Sequence, residues 1–269
     1  MTAAIAKSRA IFKRDALVTF SYPGNFVLSW LGIIVEVVIA WYIAQLIHPS
    51  AKFSPTGHVV GYFQFIAVNT AFVRFQSAAL NSFAESIRDA QLTGTLEIVL
   101  ATPTRLPTLV LSSAVWSFTY TTLQTIVYLA IAAAFGLNLS HVDLVTALVF
   151  LILTVFAVSP LGVLAAALAM VIKKTGPIEW ISSSTAQIFG GVFIPLAAMP
   201  HWLQLVGWVL PITHALNGFR AAVAGVPLAG VAGDAIWLLV ASAVLMPLSL
   251  WVFARAVQKA RVDGTLSMY

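Results

Sequence analysis

Between Asn25 and Ile47 the chain carries a single charged residue, Glu36, and the run closes on His48-Pro49-Ser50. A helix needs about 20 mostly apolar residues to cross a bilayer, and in lipid every backbone N–H and C=O must be satisfied within the protein. Comparable runs recur along the rest of the sequence, so the expected fold is an all-α integral membrane protein. Composition agrees: 60% of residues are hydrophobic and 9% charged, against about 45–50% and about 25% in soluble domains.

Breaks between the apolar runs predict six transmembrane helices, at residues 25–47, 57–83, 106–137, 142–172, 178–199 and 235–253. The third and fourth exceed what the hydrocarbon core requires and are expected to tilt or project from it. Pro160, beside Gly162, is expected to kink the fourth. Residues 200–225 hold two shorter apolar pieces divided by Pro211, each under about 20 Å long as a helix. They predict an outer re-entrant helical hairpin before the last span. Residues 3–20 mix Ile5, Ile11, Phe12, Leu17 and Val18 with Lys7, Arg9, Lys13 and Arg14, the pattern of an N-terminal interfacial amphipathic helix on an anionic membrane surface. These charges come too late, and the next apolar run is too long, for a cleaved signal. Residues 1–269 thus read as a single transmembrane domain.

An even number of spans puts both termini on one side. With that side cytoplasmic, Lys7, Arg9, Lys13, Arg14, Arg88, Arg105, Lys173, Lys174, Arg255, Lys259 and Arg261 face inward, while Lys52 and Arg220 face outward. The positive-inside rule then predicts a multi-pass protein of the cell inner membrane with cytoplasmic termini. The net charge of +5 is assigned to that membrane face and not to nucleic acid.

The chain contains no cysteine and no Gly-Lys pair, so thiol chemistry and a P-loop are both excluded. There is no HExxH motif, and His48, His58, His141, His201 and His214 are scattered over outer loops and span ends. They read as solvated or capping groups and not as a metal site. No catalytic, cofactor or metal site is expected in this chain.

Residues 85–103, ESIRDAQLTGTLEIVLATP, interleave Ile87, Leu92, Leu96, Ile98, Val99 and Leu100 with Glu85, Arg88, Asp89 and Glu97. Gly94 is expected to divide the segment into two short helices. The apolar groups from Leu96 to Leu100 need a cover, which docking into a groove on another protein provides. An interfacial elbow is the alternative.

Two motifs resemble the permease subunits of ABC-2 type exporters, especially the drug-resistance (daunorubicin-resistance-like) branch. One is E-x-x-R followed by G-T-L-E-x-x-L-x-T-P, met by Glu85, Arg88, Gly94, Thr95, Leu96, Glu97, Leu100, Thr102 and Pro103. The other is GGVFIPLAAMPHWLQLVGWVLPITHALNGFR, with Pro195, Met199, Pro200, Trp202, Leu203, Pro211, His214 and Arg220 in the family's order. The resemblance implies that residues 85–103 form a cytoplasmic coupling helix docking on a separate ATP-binding subunit, which binds the ATP and Mg. It also implies two such subunits per transporter and a second copy of this chain, or of a homologous permease, as its dimer partner.

Glu36 lies about 16 Å from the inner end of the first span and Arg74 about 14 Å from that of the second. Ionisable groups at such depths need partners. The two are expected to pair, either as a clamp within one subunit or at a pathway where they meet substrate. Gln124 in the third span and Ser183 and Gln187 in the fifth are further pathway candidates. Gly190 and Gly191 allow the close backbone approach a dimer interface uses, although serines and glycines also serve ordinary helix packing.

The leading reading is export of an amphipathic or hydrophobic compound, such as a drug, polyketide or lipid, with multidrug resistance as the associated role. Polysaccharide or glycolipid export is the alternative within the family. An ion-coupled secondary transporter using Glu36 is less favoured, since no inverted repeat relates the two halves. A membrane enzyme ranks below all three.

Overall fold

The computed structural model describes residues 2–46, 52–53, 60–92, 106–172, 191–192 and 196–262. Among these the regular structure is helical apart from one short strand pair. Helices α1 (Thr2–Ser21) and α2 (Pro23–Leu46) are separated by Tyr22 alone. Pro23 opens α2, where its missing N–H has no helical acceptor to lose. Strands β1 (Lys52–Phe53) and β2 (Val60–Gly61) pair antiparallel, Lys52 opposite Gly61. Then follow α3 (Tyr62–Leu92), α4 (Leu106–Ala134), α5 (Leu144–Ile172), a 3-10 turn at Leu196–Ala198, α6 (His201–Val209), α7 (Pro211–Val223), a second 3-10 turn at Leu228–Val231, and α8 (Ala232–Val262).

Helix α5 is apolar on every side, so no face of it is suited to water. It occupies the centre, packed on α8, α3 and α7. The core gathers Ile33 and Val37 from α2, Phe72 from α3, Tyr128 from α4, Phe150 from α5, Leu216 and Phe219 from α7, and Leu238 from α8. Every residue of α7 except Asn217 is buried. It comes close to α5 at Gly218, where a Cβ would lie 1.9 Å from the Phe150 ring. Only a residue without a side chain lets α7 and α5 meet there.

Among the described residues, α2, the Leu144–Leu168 part of α5 and the Leu228–Ala260 stretch containing α8 are long and apolar enough to cross a membrane. Helix α2 exposes Leu28, Val35 and Ile39, and α8 exposes Ile236, Val240, Val244 and Trp251. So much uncovered apolar surface is foreign to a water-soluble monomer and natural for helices in hydrocarbon.

Two helices run well past their expected ends. Helix α3 does not stop at residue 83 but runs to Leu92. Ala84, Glu85, Arg88, Ala90, Gln91 and Leu92 favour helix, and no Gly or Pro intervenes before Gly94. The first part of the proposed coupling segment is therefore the end of α3 and not a separate short helix. Helix α8 likewise passes Phe253 and reaches Val262, with the Arg255 guanidinium 4.7 Å from the Trp251 ring centroid. Charge ends contact with hydrocarbon, not the helix itself. Helix α5 also continues through Pro160, and α8 through Pro247. Most of the expected fifth span, 178–199, lies outside the described residues, and its described end is not a continuous helix: residues 191–192 turn the chain and Leu196–Ala198 is a single 3-10 turn.

Candidate functional site

Polar contacts in this apolar body gather at three places along α3 and α7. At the first, Arg74 on α3 donates from Nε to Glu36 Oε2 on α2 at 2.6 Å, and its Nη2 donates to the same oxygen. The guanidinium lies 5.7 Å from the ring centroid of Tyr128 on α4. Ile33 and Val37 are fully buried beside Glu36 and set the face of α2 turned to α3. Glu36 sits at the edge of that face, its side chain 43% exposed against 19% for Arg74. The structure thus brings together the two ionisable residues singled out in the sequence.

At the second place, Arg220 on α7 is 7% exposed. Its Nε donates to Asn69 Oδ1 on α3 at 2.7 Å and its Nη2 to the Gly191 carbonyl at 2.6 Å. Asn69 Nδ2 in turn donates to the Val192 carbonyl. Gly191 has φ +72°, a left-handed conformation suited to glycine. The Phe65 ring centroid lies 4.7 Å from the guanidinium. Arg220, counted in the sequence as an outer loop cation, is instead an internal cross-link. Its position one helical turn beyond Leu216, on a helix buried nearly all round, turns it into the protein.

At the third, His214 on α7 donates from Nε2 to the Trp208 carbonyl at 2.8 Å, while Nδ1 faces Asp234 Oδ1 at 2.5 Å. The ring stacks on Trp237, centroids 4.5 Å apart, and meets Trp208 at 5.5 Å. With an acceptor at each nitrogen, the imidazolium is the form that satisfies both. Burial pulls the His214 pKa down, but hydrogen bonds to Asp234 and Trp208 and the Asp234 charge outweigh it, leaving the pKa raised above 6.5.

A separate aromatic group seats α1. Trp116 on α4 donates from Nε1 to Thr19 Oγ1 at 2.8 Å, and its ring packs edge-on against Phe12 and Phe20. Tyr120 and Ser29 share a hydrogen bond of 3.0 Å.

Of the other residues singled out in the sequence, Glu85 is exposed on α3, Arg88 lies on the same helix, and Gln124 is half-buried on α4. Pro200 and Trp202 are exposed at the start of α6, and Pro211 opens α7. Gly94, Thr95, Leu96, Glu97, Leu100, Pro103, Ser183, Gln187 and Gly190 lie outside the described residues. Sequence reasoning missed Asn69, Asp234 and Trp237. Asn69 carries a signal in retrospect, as an amide within the largely apolar run from Phe65 to Val73. Asp234 stands in the first turn of α8, where the helix dipole favours an acid.

Comparison with curated proteins finds no match to this chain. A family model described as "ABC-2 family transporter protein" matches residues 26–251, from α2 into α8. That stretch is most of the sequence and includes all three polar places. The chain therefore belongs to the ABC-2 family, as the membrane permease of an ABC transporter that works with an ABC ATP-binding subunit.

Proposed function

We propose that this permease belongs to an exporter, moving an amphipathic or hydrophobic compound such as a drug, polyketide or lipid out of the cytoplasm. Helices α2, α3, α4, α5 and α8, with the expected fifth span beginning near residue 178, act as its six spans. Both termini face the cytoplasm in the cell inner membrane, and two copies, or this chain with a homologous permease, enclose the path above two ATP-binding subunits. Residues 85–103 dock on the ATP-binding subunit, Glu97 and Arg88 setting register by charge and Leu96 and Leu100 supplying the apolar contact. Glu36 and Arg74 act as a clamp holding α2 against α3.

The observation that carries this reading is the unbroken course of α3. One end packs on α7 through Asn69, and the other carries exposed Glu85 away from that contact by about 24 Å. A docking segment at residues 85–103 would thus lie far from the hairpin formed by α6 and α7, as cytoplasmic and outer features must. The test is co-purification from membranes. An ATP-binding subunit should remain with the unaltered chain and be lost when Leu96 and Leu100 are both changed to Asp. Retention after both changes would refute the docking assignment.

A further inference from the structure

We propose that the Asn69–Arg220 hydrogen bond is the joint through which the cytoplasmic end of α3 moves α6 and α7, making Asn69 a positioning residue for the outer end of the transport path. The inference rests on the docking reading above and adds the element by which docking is felt across the membrane.

Three observations carry it. Helix α3 spans Tyr62–Leu92 with neither Gly nor Pro, the usual sites of sharp kinks, so over its length of about 46 Å a push at one end displaces the other. Second, Asn69 is fully buried, and both ends of its amide are engaged: the oxygen accepts from Arg220 and the nitrogen donates to the Val192 carbonyl. Arg220 closes the ring by donating to the Gly191 carbonyl. This ring ties α3 to α7 and to the chain at 191–192. Third, the surroundings penalise opening. Phe65 lies against the guanidinium and Phe72 against Phe219 at 5.9 Å, so a parted bond leaves a buried cation and a buried amide without water. Apolar contacts between α3 and its neighbours can slide by a fraction of a side chain. A directional ring of buried hydrogen bonds moves as a unit or breaks.

The chain contains no cysteine, so Leu205→Cys, at an exposed position on α6, takes one spin label per chain. Label mobility and accessibility are measured in the complex with the ATP-binding subunit, first without nucleotide and then after trapping with ATP and vanadate. The label should change between the two states when Asn69 is intact. With Asn69→Leu the change should shrink at least about fivefold, while association and ATP hydrolysis persist. Arg220→Gln, neutral and too short to bridge Asn69 and Gly191, should give the same loss from the other side of the joint, and serves if Asn69→Leu does not assemble. Asn69→Asp still accepts from Arg220 and should keep the change. A full label change in both loss variants, or its loss in Asn69→Asp, overturns the joint and leaves docking intact. An unaltered complex that turns over ATP with no change at the label also overturns it. Association that survives Leu96→Asp with Leu100→Asp removes the docking reading, and this proposal with it.

Discussion

Glu36 and Arg74 show how a charge becomes tolerable among apolar helices. Either alone would be an uncompensated charge there; together they neutralise one another, with the Tyr128 ring beside the guanidinium. Arg74 is the more buried partner and keeps its charge, so loss of Glu36, which strands it, should be more damaging than loss of Arg74. A lone carboxylate can instead take up a proton. In a thermal unfolding assay in lipid nanodiscs, the double change to Ala should cost less than the two single changes summed, with a coupling of about 0.5–3 kcal/mol. Strictly additive losses would mean that the pair contributes nothing as a pair. Asn69 and Arg220 follow a different rule, since here a buried cation is held by neutral acceptors. Such an arrangement costs more to open than a pair at the protein edge.

Between elements, the contact of α7 with α8 has a pH sign. The His214 pKa is raised in the folded protein by Asp234 and the Trp208 carbonyl. Its contribution to stability is therefore complete below the ordinary histidine pKa of about 6.5 and is lost as pH rises through the raised value. Thermal stability should fall on alkalinisation over that window, and His214→Phe should flatten the dependence; an unchanged pH profile in that variant would remove the imidazolium from the account. Much at this scale is legible in the sequence. The apolar runs locate α2, α4, α5 and α8 because length and hydropathy are local properties. Where α3 ends is less legible, because Glu85 and Arg88 break hydropathy without breaking helix. The same confusion of charge with helix end shortened α8. Of the polar contacts, Glu36 with Arg74 is readable because both are anomalies at matched depth. Asn69 with Arg220 and His214 with Asp234 are not, since pairing across 151 and 20 residues depends on how α7 is buried.

Across the whole molecule, α5 forms a packed axis while α2 and α8 leave broad apolar faces outward. This distribution is that of a body solvated by lipid, and its orientation can be measured directly because the chain has no cysteine of its own. In intact cells a membrane-impermeant maleimide should label Lys52→Cys, between α2 and α3, and should reach Lys259→Cys, exposed near the end of α8, only after permeabilisation. The reverse pattern would invert the protein and place residues 85–103 beyond the reach of any ATPase. The order of synthesis also matters. His214 leaves the ribosome before Asp234 and Trp237, so the acid and the stacked ring that complete its seat do not exist until α8 begins to emerge. A nascent chain halted before residue 234 carries α7 with one side still unroofed, and α8 acts as the bolt that closes it.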